Sequence, residues 1–132
     1  MNLKICIIDD DTIYQFTTKK IIEKASITAD VSMFSDPEVA LASFRSFDNP
    51  ESQFPDIIFL DINMPFMDGW QFLNSFEPIQ AKIQKKIHIF LVSSSVDEAD
   101  TQRASACKLL SGYIYKPFTK EKLLKSLEHL QS

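Results

Sequence analysis

Short apolar segments alternate with longer amphipathic ones along this chain, and this alternation constrains its fold more than any other feature. The apolar segments are rich in isoleucine, valine and phenylalanine, and they cover residues 3–8, 29–34, 56–60, 87–92 and 112–115. Three of them are almost continuously apolar, which is typical of strands buried on both faces. Strands that alternate with helices form a parallel sheet with helices on both sides, joined by right-handed crossovers. We therefore predict an α/β, doubly wound fold of three layers.

Several of the amphipathic segments carry helix start signals. Residues 119–130 place their leucines on one stripe, and Thr119 is the predicted N-cap of this helix. Asp36 is the predicted N-cap of an earlier helix, because a proline follows it at the first helical position. Tyr14 is assigned to the apolar face of the first helix, and the polar segment 48–53 is predicted to be a loop.

Length, charge and cysteine content limit the class of protein. The 132 residues suit one domain spanning residues 1–132. The net charge of −4, without a basic tract, argues against direct nucleic-acid binding. No apolar run approaches the ~18 residues of a membrane span, and the N-terminus lacks a signal-peptide pattern. We expect a cytoplasmic protein without membrane contact. Cys6 and Cys107 have no metal-ligand spacing and are predicted to be reduced thiols.

Acidic, hydroxyl and basic residues follow the predicted strands at the points where those strands end. The first strand is followed by Asp9–Asp11, the third by Asp61, the fourth by serines 93–95 and the fifth by Lys116. Carboxyl ends of parallel strands converge at one edge of the sheet, where ligands of such folds bind. At a distance of ~4 Å and an effective dielectric constant of about 20, each pair of carboxylates costs about 4 kcal/mol. Mg²⁺ would relieve that repulsion, and a lysine beside a hydroxyl suits a phosphoryl group.

Each of these residues also has a purely structural interpretation. Asp11 is equally well explained as a helix N-cap, and Asp68-Gly69 alone is a common turn. A lysine before a proline has little meaning by itself. The placement of all these groups at the ends of four strands favours a functional site.

The segment Asp61–Gly69, DINMPFMDG, resembles the D-x-x-M-P-x-x-D-G motif of the receiver domain of two-component response regulators. The resemblance covers essentially the whole chain. It implies a flavodoxin-like (βα)5 fold with a parallel five-stranded sheet in the order 2-1-3-4-5.

The resemblance also implies a role for each strand-end residue. Asp61 would be the phosphoacceptor, and Asp9, Asp10, Asp61 and the backbone carbonyl of Asn63 would hold Mg²⁺, with Mn²⁺ as a possible substitute. Lys116 and Ser93 would contact the phosphoryl group, and Tyr113 would be an aromatic switch coupled to Ser93. The spacing from the first serine to Lys116 is one residue longer than usual in the family, so Ser94 is an alternative to Ser93. Ser93 is preferred because it directly follows the apolar run 87–92.

Phosphoryl acceptance from a sensor histidine kinase or a histidine phosphotransfer protein is the function that the resemblance implies. The protein would then change shape and lose the phosphate by hydrolysis, without being a turnover enzyme. Because the final helix runs to the end of the sequence, we expect a stand-alone receiver domain. It would then either bind a downstream protein or pass its phosphoryl group on to a histidine phosphotransfer protein, through a face built from the fourth predicted helix, the fifth strand and the fifth predicted helix. That face would carry Lys120, Lys122 and Lys125.

Two other classes remain as alternatives. An aspartate-dependent phosphohydrolase of the haloacid dehalogenase type has a similar fold. Such enzymes typically carry a second acid two residues after the nucleophile, where this chain has Asn63. A degenerate receiver that only binds a partner is the other alternative, and the intact acid set argues against it.

Overall fold

The computed structural model of the protein describes residues 3–94 and 97–131. The strands are β1 (Leu3–Ile8), β2 (Ala29–Phe34), β3 (Ile57–Asp61), β4 (His88–Ser93) and β5 (Leu110–Tyr115). The helices are α1 (Thr12–Lys24), α2 (Pro37–Ser46), α3 (Pro50–Gln53), α4 (Gly69–Ala81), α5 (Glu98–Ala106) and α6 (Lys120–Leu127), and a 3-10 turn covers Glu128–Gln131. The described part of the chain contains no helix with the length and apolar character needed to cross a membrane.

The strands form one parallel sheet in the order β2-β1-β3-β4-β5, which confirms the predicted topology. β3 lies at the centre and is buried along its whole length, Asp61 included. A segment with a side chain to bury at every position must lie between two layers of helices. The central position of β3 therefore explains why its sequence is continuously apolar up to the aspartate.

Successive strand residues enter two separate cores on opposite faces of the sheet. Ile58 and Leu60 of β3 pack with α2, α4 and α5, whereas Ile57 and Phe59 pack with α1 and α6. The same alternation holds along β1 and β4. The first core is rich in aromatic rings: Phe44 of α2 lies 5.4 Å from Phe54 and 5.7 Å from Phe76 between ring centroids. The two cores hold the sheet rigid beneath its carboxyl edge.

The polar segment 48–53 was predicted to be a loop, and this prediction was wrong in part. Residues Pro50–Gln53 form the single helical turn α3. Pro50 supplies a φ angle suited to the first helical position, and the Asn49 carbonyl accepts the N–H groups of Ser52 and Gln53 at 3.2 and 3.0 Å. The Gln53 side chain in turn accepts the Asn49 N–H at 2.6 Å, which closes the turn. The predicted N-caps Asp36 and Thr119 are confirmed by their side-chain hydrogen bonds.

Candidate functional site

The strand-end residues meet at the carboxyl edge of the sheet because the strands end in register. Ile8 of β1 pairs with Leu60 of β3, and Asp61 pairs with Val92 of β4. The Lys116 N–H donates to the Ser93 carbonyl at 2.8 Å, which ties the end of β5 to that of β4. Parallel pairing thus delivers the side chains that follow four strands to one place.

Three carboxylates form an acidic cluster at this edge. Among the residues that the structure describes, Asp9, Asp10 and Asp61 can each place one carboxylate oxygen within 4.8 Å of the other two. Asp9 and Asp61 are buried, whereas Asp10 is exposed to solvent. Carboxylate oxygens are hard ligands, and an exposed member leaves room for metal-bound water, as Mg²⁺ requires. The donor set therefore fits the predicted magnesium ion.

Lys116 brings one positive charge to the two buried carboxylates. Its Nζ atom lies 3.5 Å from an Asp9 oxygen and 3.6 Å from an Asp61 oxygen. Both separations are longer than the ~2.8 Å typical of a charge-assisted hydrogen bond. The ammonium group therefore lies between the two acids rather than bound tightly to either, in a position to contact an oxygen added to Asp61.

Burial and, to a smaller extent, the neighbouring charge of Asp9 raise the pKa of the Asp61 carboxyl to about 7, against the opposing effect of Lys116. Burial also raises the pKa of Asp9, while the Asp11 N–H and Lys116 act in the opposite direction. One lysine thus does not neutralise the cluster. Additional positive charge, such as a divalent cation, would favour the ionised form of both acids.

Local hydrogen bonds fix the loop that carries the acids. The Asp9 carboxylate accepts the Asp11 N–H at 2.9 Å, and the Asp11 side chain caps α1 by accepting the N–H groups of Ile13 and Tyr14. Asp11 therefore has the structural role of an N-cap. The buried Gln15 amide donates to the Asp9 carbonyl at 2.7 Å and to the β2 end at Phe34 at 3.0 Å. Sequence analysis gave no role to Gln15, since a glutamine on a helix carries no signal of such a contact.

Tyr14 is a second site residue that sequence analysis missed. The Lys116 ammonium lies 4.0 Å from the centroid of its ring, a cation–π contact. The Tyr14 hydroxyl accepts the Phe118 N–H at 3.0 Å and so joins α1 to the segment after β5. The helical pattern placed Tyr14 on the apolar face, but its partners lie more than 100 residues away in the sequence. The ring therefore helps to hold Lys116 over the acids.

The loop after β3 returns directly to the sheet. The Asn63 N–H points to an Asp61 carboxylate oxygen at 3.4 Å, and the Gly69 N–H donates to the Ile62 carbonyl at 2.9 Å. Asp68 then caps α4 through a capping box with Gln71. The exposed Asn63 consequently stays beside Asp61.

Ser93 and Ser94 differ in environment. Ser93 is fully buried as the last residue of β4, whereas Ser94 is exposed just after it. Ser95, the last of the three serines, lies outside the described residues. The Ser93 side chain hydrogen bonds to the Tyr113 hydroxyl, an interaction that opposes the rise in the Tyr113 pKa caused mainly by burial. The structure thus joins the two residues expected to form the switch.

Comparison with known proteins gives a consistent result. The profile of the response regulator receiver domain family matches residues 5–128. The chemotaxis protein CheY of Listeria monocytogenes is 29% identical, with 96% of each chain covered. The nitrate/nitrite response regulator NarL of Escherichia coli is also 29% identical; the match covers 93% of this chain and 52% of NarL.

Solved structures agree with these sequence relatives. A two-component response regulator from Cytophaga hutchinsonii superposes with a TM-score of 0.86 at 26% identity, with 99% of this chain and 98% of that chain covered. A response regulator receiver protein from Dyadobacter fermentans gives a TM-score of 0.78 at 27% identity, with 96% of each chain covered. The phosphohydrolase alternative receives no support from these comparisons. Together with the fold and the acidic cluster, the profile match shows that this chain belongs to the response regulator receiver domain family.

Proposed function

We propose that Asp61 accepts a phosphoryl group from a phosphohistidine on a histidine kinase or a histidine phosphotransfer protein. The observation that carries this proposal is the position of Asp61, buried at the end of the central strand beside Lys116 and two further acids. Phosphoryl transfer depends mainly on positioning and on neutralisation of developing charge. A carboxylate held among such groups is a competent nucleophile.

The residues present define how the transfer would proceed. An Asp61 carboxylate oxygen forms a bond to phosphorus while the bond from phosphorus to the donor imidazole nitrogen breaks, and the freed imidazole regains a proton from solvent. Asp9, Asp10, Asp61 and the Asn63 carbonyl would hold Mg²⁺, which would supply charge neutralisation for the phosphoryl oxygens. Lys116 and Ser93 would each bind one of those oxygens. Attack of water on phosphorus would later release inorganic phosphate and restore the carboxylate.

The output would be a phosphorylation-dependent contact with another protein. The surface formed by α5, β5 and α6 is the proposed contact face, because Tyr113 of β5 is hydrogen-bonded to Ser93 at the site. α5 and α6 are the fourth and fifth helices predicted from the sequence, since the short α3 was predicted to be a loop. Lys120, Lys122 and Lys125 of α6 would supply its charge. A downstream target and a phosphotransfer protein both fit this face.

Phosphorylation by a small donor tests the proposal without a partner. Incubation with acetyl phosphate and Mg²⁺ should add one phosphoryl group to the wild-type chain, detected by intact-mass spectrometry, because the acceptor machinery lies within this domain. Asp61→Asn should add none, since the amide is a poor nucleophile. Asp36→Asn is the matched control, because asparagine also caps helices and Asp36 caps α2 away from the site. Full labelling of Asp61→Asn would refute the assignment.

A further inference from the structure

Phe66 is the most exposed large apolar side chain among the described residues, with an exposed fraction of 102%. It lies in the loop between β3 and α4, five positions after Asp61. The two methionines of this loop behave differently: Met64 is buried, and Met67 packs against the core. The methionines therefore anchor the loop, and Phe66 is the large apolar side chain that it leaves in solvent.

The backbone of Phe66 is strained as well. Its φ angle is +69°, in the left-handed region that glycine and asparagine adopt more readily. The Met67 N–H donates to the Pro65 carbonyl at 2.7 Å, which closes a three-residue γ-turn with Phe66 at its centre. A γ-turn with positive φ at its central residue is rare and strained.

Phe66 thus has two features that are unfavourable for the stability of the folded chain. Its ring is fully exposed to water, and its backbone adopts a conformation that disfavours phenylalanine. Glycine or asparagine at this position would avoid both costs. Residues that break local rules without compensating contacts inside the protein are expected at functional positions. The compensating contact for Phe66 must then come from outside the chain.

The place of the loop identifies the molecule that would make this contact. Asp61 is only 5% exposed, so a donor histidine must approach closely at the carboxyl edge of the sheet. A stable protein partner covers roughly 800 Å² on each side, and the loop 62–68 borders the entrance to Asp61. The proposed output face lies on other elements, α5, β5 and α6. Aromatic residues are also enriched among the residues that dominate binding energy.

We infer that Phe66 is an anchor that packs against the phosphohistidine-bearing domain of the phosphoryl donor. This inference rests on the proposed function, because it assumes transfer to Asp61. The ring is buried when the donor docks, and its burial contributes affinity to the transfer complex. It has no role in the chemistry at Asp61.

Three substitutions separate the ring from the backbone. Phe66→Ala removes the ring but keeps a residue disfavoured at positive φ, Phe66→Gly removes both the ring and the strain, and Phe66→Tyr keeps the ring. Val39→Thr is the control for loss of exposed apolar surface elsewhere, since Val39 of α2 is 52% exposed and lies outside the proposed contact face. The probe is the purified, autophosphorylated histidine kinase that transfers fastest to the wild-type chain in a panel from the source organism. Acetyl phosphate is the parallel small donor.

We expect Phe66→Ala and Phe66→Gly to lower kcat/KM for transfer from the kinase by about tenfold, as loss of an interface anchor does. Phe66→Tyr and Val39→Thr should stay close to wild type, and all four variants should accept phosphoryl from acetyl phosphate at the wild-type rate. Phe66→Gly should also melt at a higher temperature than Phe66→Ala, because glycine relieves the strained turn.

Wild-type kinase transfer in both Phe66→Ala and Phe66→Gly would overturn the inference, and so would a loss in only one of them. An equal loss with acetyl phosphate would place Phe66 in the phosphorylation site itself and would also overturn it. Normal kinase transfer combined with lost binding of a downstream target would assign the ring to that target instead. Failure of wild-type chain to accept phosphoryl from acetyl phosphate would count against the proposed function, independently of Phe66.

Discussion

At the scale of single residues, the most informative group is the Asp61 carboxyl, whose ionisation is opposed by its surroundings. Burial and the charge of Asp9 raise its pKa to about 7, well above the ordinary value of 3.8. A group whose charge is disfavoured in the folded state lowers stability whenever it is ionised. The same arrangement leaves the carboxylate in need of a cation, which connects the folding cost to the proposed function.

This cost predicts a pH-dependent effect of Asp61→Asn. Between the unfolded pKa near 4 and the folded pKa of about 7, the folded state binds more protons, so wild-type stability falls as pH rises through this window. In EDTA at pH 8, Asp61→Asn should therefore raise the free energy of unfolding, by about 4 kcal/mol at most. Urea denaturation at pH 8 and pH 4.5 measures the difference, and the gain should largely disappear at the lower pH. A gain of equal size at both pH values would contradict the role of ionisation.

Asp10 is the acid that we expect to contribute most to Mg²⁺ binding. It is exposed, whereas Asp9 is buried and already accepts the Asp11 N–H. Mg²⁺ at ~100 times its dissociation constant should stabilise the wild type by about 2.7 kcal/mol. Asp10→Ala should lose most of this gain in thermal melts, and Asp48→Ala, which removes an exposed acid from a loop, should keep it. An undiminished Mg²⁺ response in Asp10→Ala would place the ion elsewhere.

Sequence alone could predict the residues at strand ends, because parallel pairing brings every carboxyl end to one edge. The positions of Asp9, Asp10, Asp61 and Lys116 follow from that rule. The contacts of Tyr14 could not be predicted, since its ring meets Lys116 only after α1 has packed against the segment that follows β5. Such contacts depend on helix orientation, which residue spacing does not encode.

At the scale of elements, the start of α4 packs unusually close to the end of β3. A Cβ atom on Gly69 would lie 3.0 Å from the Ile62 Cα atom and 3.2 Å from the Asp61 carbonyl oxygen. Glycine is thus needed here for the close approach of two backbones and not for a positive φ angle. Asp68-Gly69, which could be taken for a simple turn, in fact sets the distance between β3 and α4.

Gly69→Ala should therefore be destabilising despite the higher helix propensity of alanine. Overpacking against backbone atoms costs about 1–3 kcal/mol, and a displaced Ile62 backbone would also slow labelling of Asp61 by acetyl phosphate. Thermal denaturation and the rate of labelling measure the two effects. Asn74→Ala, at an exposed position of the same helix, is the control and should melt at or above the wild-type temperature. A wild-type melting temperature for Gly69→Ala would show that the helix can shift without cost.

Element positions were predicted best where the burial pattern is simple. β1 and β2 have the predicted bounds, and β3 and β4 differ from them by one residue at each end. β5 begins at Leu110, two residues earlier than predicted. The prediction missed this start because a register shift beside Ser111 interrupts the pairing of β5 with β4. Such a bulge breaks the alternation of buried and exposed positions, so the first part of this edge strand carries no strand pattern in its sequence.

At the scale of the whole molecule, the loop after β3 is joined to α5 through Trp70. This residue lies in the first turn of α4, and its indole N–H donates to the Asp100 carboxylate at 3.2 Å. The Arg103 guanidinium lies 4.3 Å from the centroid of the same ring. A change at the loop can therefore reach α5 along this side of the site, while Ser93 and Tyr113 connect the site to β5. Both routes end on the proposed output face.

The hydrogen bond between Ser93 and Tyr113 predicts how the second route would operate. A phosphoryl group on Asp61 adds acceptor oxygens, and the single proton of the Ser93 hydroxyl can be donated to only one partner at a time. A beryllium fluoride adduct of Asp61 should therefore draw this hydroxyl away from Tyr113 and change the Tyr113 rotamer. Crystal structures with and without the adduct would show the change.

Ser93→Ala separates the switch from the chemistry. Without the hydroxyl, the adduct should still form at Asp61, because the acids and Lys116 remain in place. In this variant, the side-chain conformation of Tyr113 should be the same with and without the adduct, and hydrogen exchange in β5 should no longer respond to the adduct. Ser94→Ala is the matched control, since Ser94 is exposed outside the strand and its loss should leave the wild-type response. If Tyr113 and β5 responded fully to the adduct in Ser93→Ala but not in Ser94→Ala, the switch hydroxyl would belong to Ser94.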